Sequence, residues 1–418
     1  PMVGDAHPTN ICQGIFEVGS NYSRLPGSAN MDSLFLKPLT EQLERRRAGH
    51  LYRERLILDS SQGVEVRIGS ETLLSFCSND YLGLAQHPAV IAAFKAGADR
   101  YGVGAGASHL VSGHSAAHHA LEEELAEFVG AQRALLFSTG YMANLGVVSA
   151  LCGRETTIFE DRLNHASLID AARLTRAKVK RYPHADSARL DRFLTDTPGQ
   201  KFITTDTVFS MDGDMAPLKE LHRLAQRHSA WLLADDAHGL GVLGKNGRGS
   251  FEHLGVPLSP PAILMGTLGK AFGVFGAFVA GEEALIETLI QQARTYIYTT
   301  ALPPAVAEAA RASLKIVRTE TWRRERLQAL VARFRQGAQE LGFTLMAGET
   351  PIQPLILGDA QTALDASKKL RTRGILVPAI RPPTVPEGSA RLRFTFSAAH
   401  EFSHVERLLE ALGTVPQA

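Results

Sequence analysis

Residues 262–273 read AILMGTLGKAFG. An apolar run, Ala262 to Met265, has the look of a buried strand, and it delivers Lys270 to the strand's carboxyl end between residues too small to cover it. A nucleotide-binding P-loop is excluded, because that motif needs glycine where this chain has Leu264 and Ser or Thr where it has Ala271. A lysine so placed is either a solvated surface charge or a reacting amine, and its surroundings decide which.

Working outward, short apolar or β-rich runs alternate with helical patterns. RALLFS (133–138), KVKRYP (178–183), KFITTD (201–206) and WLLADD (231–236) precede AILMGT, while 86–102 and 114–130 carry helical spacing and end at glycine. That order over roughly residues 85–302 predicts an α/β fold, a mainly parallel sheet covered by helices, with ligands beyond the strands' carboxyl ends. From 303 on, long helical patterns lead into PIQPLIL, GILVPAI and ARLRFTFS, with helices expected at 360–373 and 401–412, which predicts a smaller α+β C-terminal domain, 303–418. Residues 31–84 read as an N-terminal segment packing on that smaller domain. Residues 1–30, rich in Gly, Asn, Ser and Pro without apolar period, read as a disordered extension.

The chain has 418 residues, 44% of them hydrophobic, and 44 Lys and Arg against 43 Asp and Glu, a formal charge of +1. That balance gives no basic field for nucleic acid and favours small-molecule partners. No apolar run is long enough to span a bilayer, and Cys12, Cys77 and Cys152 lack disulfide or metal spacing, so a cytoplasmic enzyme is expected.

Four segments can share chemistry with Lys270. WLLADDAHGLGVLG (231–244) carries Asp235, Asp236 and His238 to a strand end, and strand alternation puts Asp235 and Ala237 on one side. A buried Asp235 needs a cationic partner such as a protonated pyridine nitrogen, beside which the small Ala237 would let a ring lie flat; otherwise the two acids cap the next helix. RLNHASLID (162–170) sets His165 before a helix, to stack on a ring, move a proton or simply cap. LLFSTGYMAN (135–144) runs into a helix start at Gly140 and Tyr141, an anion cradle or an ordinary turn. GVGAGASHLVSG (102–113) follows a helix instead of a strand, so it reads as a close-approach loop and not a dinucleotide fingerprint.

Together with SNDYLGL (78–84), VFSMDGD (208–214) and the two segments around Lys270, these motifs stand in an order that resembles the α-oxoamine synthases, within the fold-type I pyridoxal-phosphate enzymes, over about residues 39–412. The resemblance implies a fold-type I transferase and the cofactor pyridoxal 5'-phosphate. Lys270 would form the Schiff base and act as base, Asp235 would hold the pyridine nitrogen protonated, His238 would bond the ring hydroxyl, and His165 would stack on the ring beside Ala237. Gly140, Tyr141 and Thr267 would hold the phosphate, with Thr299 or Thr300 of YTTALPP reaching it from a second subunit, which implies a homodimer with shared sites. Ser210 and Asn79 would complete the pocket.

For substrates, the segment AIRPPTVPEGSARLRFTFSAAHE most resembles one branch of that family, and the resemblance implies condensation of L-alanine with a pimeloyl thioester, on coenzyme A or a carrier protein, releasing CO2 and free thiol in biotin biosynthesis. The alternative is a relative using glycine and acetyl-CoA. Arg393, or Arg391 two residues away on the same face, would bind the amino-acid carboxylate, and either Arg53 or Arg381, the latter near Thr384 in a proline-bounded loop, would take the far carboxylate. Ser108 stands where a glycine-using relative has threonine, which implies room for alanine's methyl group. His114 and Phe275 depart from the family, which commonly has tyrosine and a smaller residue there; they either reshape the acyl channel or only repack its shell.

Overall fold

The protein is described from a computed structural model, in which residues 28–415 are described. Most of the extension assigned to residues 1–30 therefore lies outside the described residues. The chain divides at Glu54/Arg55. Before the division, a helix runs Ser28–Ala48 and ends in Arg45, Arg46 and Arg47, cations suited to the negative pole of the helix. Arg47 covers the Tyr52 ring at 4.0 Å.

Residues 55–418 form the second unit. It opens with a hairpin, β1 (Glu65–Ile68) against β2 (Glu71–Ser75), turned at Gly69, whose φ of 58° suits glycine. The central sheet comprises β3 (Arg133–Phe137), β4 (Thr156–Asp161), β5 (Lys178–Tyr182), β6 (Gln200–Asp206), β7 (Ala230–Asp235), β8 (Ala262–Thr267) and β9 (Ala277–Gly281). Their spatial order is β3-β9-β8-β7-β6-β4-β5, with β4 to β8 parallel and β9 antiparallel to both its neighbours. The sheet is thus the mainly parallel one expected. Helices cover both of its faces, so its inner strands are buried along most of their length, with apolar runs in β7, β8 and β9 and threonine-rich, acid-ended sequences in β4 and β6; only the edge strand β5, which reads KVKRY, is largely open.

Local chemistry fixes the helices that flank the site. Thr139 caps the helix Gly140–Leu151 by accepting from Met142 N–H at 3.2 Å. His165 and Ser115 do the same for Ala166–Leu174 and Ala116–Val129.

The C-terminal strands are β10 (Ile352–Gly358), β11 (Ile375–Leu376), β12 (Ala379–Ile380) and β13 (Ala390–Thr395). GILVPAI does not make one strand. Pro378 offers no N–H to a ladder, and the chain changes sheets there: β11 pairs parallel to β2, while β12 joins β13 and β10. The helices Ala360–Thr372 and Phe402–Leu412 fall within a residue of their expected ends. Among the described residues no helix is long and apolar enough to cross a membrane.

Candidate active site

Lys270 leaves β8 through a turn closed by Gly273 N–H on Lys270 O at 2.8 Å. Gly273 has φ 66°, and a Cβ there would come within 2.3 Å of Ala85 N, so only glycine lets this turn close against the 84–85 segment. The Lys270 Nζ then lies 2.9 Å from His238 Nε2, and His238 Nδ1 lies 2.7 Å from Tyr81 Oη. Tyr81 O–H donates to Asn79 Oδ1 at 3.2 Å, which makes Tyr81 the acceptor for His238 Nδ1–H and leaves His238 Nε2 to accept from the lysine. Arg393 donates to the same Asn79 oxygen at 3.3 and 3.4 Å and, through Nε, to Ser210 O at 2.6 Å. One line of hydrogen bonds therefore joins the amine to the guanidinium.

Burial sets the charge states along this line. It pushes the Lys270 amine down to about 8, against the pull of the Asp235 and Asp206 carboxylates. It also holds His238 well below the usual histidine range, with Lys270 adding to the effect, so the imidazole stays neutral. Lys270 is accordingly a poised amine and not a solvated surface charge.

Alternation along β7 separates the two acids. Asp236 turns away to accept from Ser250 N–H at 2.8 Å and Ser250 Oγ at 2.6 Å; burial pushes its carboxyl up to about 6, and its role is to pin the 249–250 turn to the strand end. Asp235 faces the site, where it accepts from Ala237 N–H at 3.0 Å and from Asn144 Nδ2 at 2.7 Å. The second Asn144 N–H donates to Ser167 Oγ at 2.8 Å, and that hydroxyl lies 2.8 Å from His165 Nδ1. Backbone His165 N–H donates to Asp206 Oδ2 at 2.6 Å. Asp206 is the register partner of Asp235 on β6; burial, and then the Asp235 charge, hold its carboxyl well above the usual range. His165 is held below the usual histidine range, chiefly by burial.

Asn144, Ser167, Asp206 and Tyr81 belong to this constellation and were not singled out in the sequence. All four sit inside motif segments or at a strand end beside Asp235, which is the signal that marks them. Asn144→Leu is expected to cost about 1–3 kcal/mol of stability by leaving a buried carboxylate oxygen without its donor. Chemical denaturation measures this, and a loss below about 0.5 kcal/mol, the scale of an ordinary surface change, would refute it.

The helix Gly140–Leu151 points its first turn at the same region. Thr139 takes Met142 N–H on its hydroxyl and Ala143 N–H on its carbonyl at 3.0 Å, so Gly140 and Tyr141 supply the outward N–H donors. Tyr141 meets the His165 ring edge-on at 6.4 Å, and its hydroxyl donates to Asp170. Thr267 Oγ1 donates to Gly276 O at 3.1 Å and accepts from Gly269 N–H at 3.2 Å. An aromatic cation with a phosphate tail and an aldehyde fits this set. Each Asp235 oxygen takes one side-chain or backbone donor and keeps a lone pair, the helix start offers an anion cradle, and the amine is deprotonatable.

Arg391 and Arg393 share a face of β13, yet their partners differ. Arg391 is ion-paired with Asp212 and donates to Ser389 O at 3.0 Å and Met211 O at 3.2 Å. Arg393 has no carboxylate partner among the described residues.

Beside Asn79 and Gly269 lies a cavity of about 570 Å³ whose walls include Leu58, Val66, Val274 and Leu376. Ser108 opens a π-helical turn, His109–Gly113, and bridges to Thr300. A Cβ on Gly113 would reach within 2.0 Å of Ala107 O, which accounts for the close-approach loop. Thr299 is half-buried and Thr300 exposed. Arg381 is half-buried and Thr384 exposed, in a turn closed by Thr384 N–H on Arg381 O at 3.1 Å. Phe275 is 48% exposed, so its ring is not part of a packed shell within this chain. Arg53 precedes the division at Glu54/Arg55.

Residues 71–412 match the family described as aminotransferase class I and II. The class is therefore the fold-type I pyridoxal-phosphate transferases, and the cofactor is pyridoxal 5'-phosphate. The chain is 61% identical to the 8-amino-7-oxononanoate synthase of Nitrosococcus oceani, over 89% of this chain and 99% of that one. It is 60% identical to the protein of the same name from Thioalkalivibrio sulfidiphilus, over 90% and 97%. Among solved structures it resembles a serine palmitoyltransferase from S. paucimobilis carrying a PLP–myriocin aldimine, at 29% identity and a TM-score of 0.86, covering 92% of this chain and 98% of that one. The 8-amino-7-oxononanoate synthase from Francisella tularensis aligns at 35% identity and a TM-score of 0.72, over 82% and 97%. The chain belongs to the 8-amino-7-oxononanoate synthase family, whose members are pyridoxal-phosphate-dependent acyltransferases.

Proposed function

We propose that this chain condenses L-alanine with a pimeloyl thioester, giving 8-amino-7-oxononanoate, CO2 and the free thiol in biotin biosynthesis. The observation that carries the mechanism is the buried Lys270 amine, brought to about 8 and tied through His238, Tyr81 and Asn79 to Arg393. Bound pyridoxal phosphate supplies an electron sink for bonds broken at the amino acid's α-carbon. Asp235, held by Asn144 and Ala237 N–H, would serve the pyridine nitrogen as its anionic partner, His165 would stack on the ring, and His238 would bond the ring hydroxyl. Gly140, Tyr141 and Thr267 would hold the phosphate.

Lys270 takes the α-proton at Nζ, a task suited to an amine that is partly unprotonated near neutral pH. Arg393 receives the alanine carboxylate as a planar fork, with Asn79 and Ser210 O fixing its orientation. The cavity beside Gly269 and Asn79 accepts the acyl chain along Leu58, Val66 and Leu376. Either Arg381, in the loop that holds Thr384, or Arg53 takes the far carboxylate. Ser108 leaves room for the methyl group of alanine. In the domain terms of this reading, 85–302 carries the cofactor and 303–418 carries Arg393.

The active form we propose is a cytoplasmic homodimer in which Thr299 or Thr300 completes the partner's phosphate site. Its support is an exposed apolar set around the Ser108–Thr300 bridge, with Val103, Val111 and Tyr298 at 89%, 78% and 71% exposure.

Product analysis tests the substrate assignment. Alanine, glycine and serine are each paired with pimeloyl-, acetyl-, succinyl- and palmitoyl-CoA. Alanine with pimeloyl-CoA is expected to give the highest kcat/KM, with glycine lower by roughly tenfold to two-hundredfold, the worth of one methyl contact. A preference for glycine with acetyl-CoA would overturn it.

A further inference from the structure

His109, His114, His118, His119 and Glu122 gather at the start of the helix Ala116–Val129, apart from the hydrogen-bond line around Lys270. Two overlapping triads have ligand atoms within 4.8 Å of one another: His109, His114 and His118, and His114, His119 and Glu122. Their hydrogen bonds distinguish them. His118 is saturated, since Nδ1 accepts from Ser115 N–H at 3.0 Å while Nε2 donates to Leu302 O at 2.7 Å, so it has no lone pair to give without uncapping the helix.

The second triad is differently placed. Glu122 fixes its carboxylate by accepting Leu136 N–H on Oε1 at 2.8 Å, which leaves Oε2 for another partner; that oxygen faces His114 Nε2 at 3.9 Å, too far for a hydrogen bond. His114 Nδ1 lies 3.0 Å from His109 Nδ1, so a proton on His114 Nδ1 is held by His109 and frees Nε2 as a lone pair. This is the outer contact that orients a metal-bound imidazole. His119 and Glu122, one turn apart, share a helix face, and the His119 ring meets the His114 ring edge-on at 5.8 Å.

We propose that His114 Nε2, His119 and Glu122 Oε2 bind a divalent transition-metal ion of the zinc class. Two imidazoles and one carboxylate are the borderline nitrogen and oxygen donors such an ion takes, and the exposure of His119, 66%, leaves a fourth position to water. The departure of His114 from the tyrosine common in the family thereby gains a chemical role, because a phenol at that point would remove one of the two nitrogen donors.

The test is equilibrium dialysis of the full-length, cofactor-loaded enzyme against zinc after chelator treatment, with metal counted by elemental analysis and cobalt(II) used as a spectroscopic substitute. One zinc per chain is expected. H119A replaces an exposed side chain and should fold normally; it is expected to weaken zinc at least tenfold, as are E122Q and H114Y. H109F removes the outer hydrogen bond and is expected to cost roughly 10- to 100-fold. H253A, a histidine of the helix Ser250–Leu254 outside the cluster, should bind as the parent does. Failure of the parent to hold zinc, or H119A or E122Q holding it as tightly as the parent, would overturn the site.

Discussion

Lys270→Ala is expected to lower turnover by about 10²–10⁴-fold or more, the contribution of a positioned proton-transfer group, and to abolish borohydride-stable attachment of the cofactor. The amine stands at the end of β8, bonded to His238, with no second lysine in the hydrogen-bond line that could replace it. Borohydride treatment followed by digestion locates the label; recovery on any other lysine would refute the assignment. The same side chain has a measurable effect on the cofactor-free protein. Its folded value of about 8 lies below the ordinary 10.5, so between these limits the unfolded chain binds more protons and stability rises with pH. Below about 8 the penalty is fully present, on the order of 3 kcal/mol for a shift of this size. Lys270→Met should therefore stabilise the apoprotein near neutral pH and flatten its stability between pH 8 and 10.5. A variant with the parent's slope would show that the amine is not depressed by burial.

Arg391 and Arg393 give the second large contrast. Arg391→Met leaves Asp212 without its guanidinium in a buried setting, and about 3–5 kcal/mol of stability should be lost, with the alanine KM little changed in whatever fraction stays folded. Arg393→Met should do the reverse: a modest loss of stability, and on the order of a hundredfold loss in kcat/KM for alanine, the worth of two charge-assisted hydrogen bonds. Chemical denaturation and steady-state kinetics on the two variants separate the outcomes. A pair of variants with interchanged phenotypes would mean that the carboxylate goes to Arg391.

That contrast also shows where sequence reading stops. Residues 391 and 393 lie on one face of a strand by alternation alone, and what distinguishes them is Asp212, an acid in a loop far away in sequence. The same alternation was sufficient for Asp235 and Asp236, because adjacent residues point to opposite faces. The parallel sheet was most legible at β7 and β8, which are buried on both faces and keep apolar runs, whereas β4, which reads TTIFED, has none to mark it. GILVPAI is also an apolar run, and its division at Pro378 between two sheets shows only when the partners on each side are known. Asn144 and Tyr81 stood inside quoted motifs, but a buried amide or phenol reveals its purpose only through the atoms it meets.

The contact between Asn79 and Arg393 spans 314 residues of chain. At about 5–20 residues per second of synthesis, Asn79 emerges from the ribosome roughly 16 to 60 seconds before the arginine it must meet. Over that interval the nascent hairpin of β1 and β2 lacks the strand that pairs with it, and Val66 and Leu73 have not met Leu376. An unpaired apolar edge of this kind invites contact with other chains, so the period of greatest danger to this enzyme falls before its last strands have been translated.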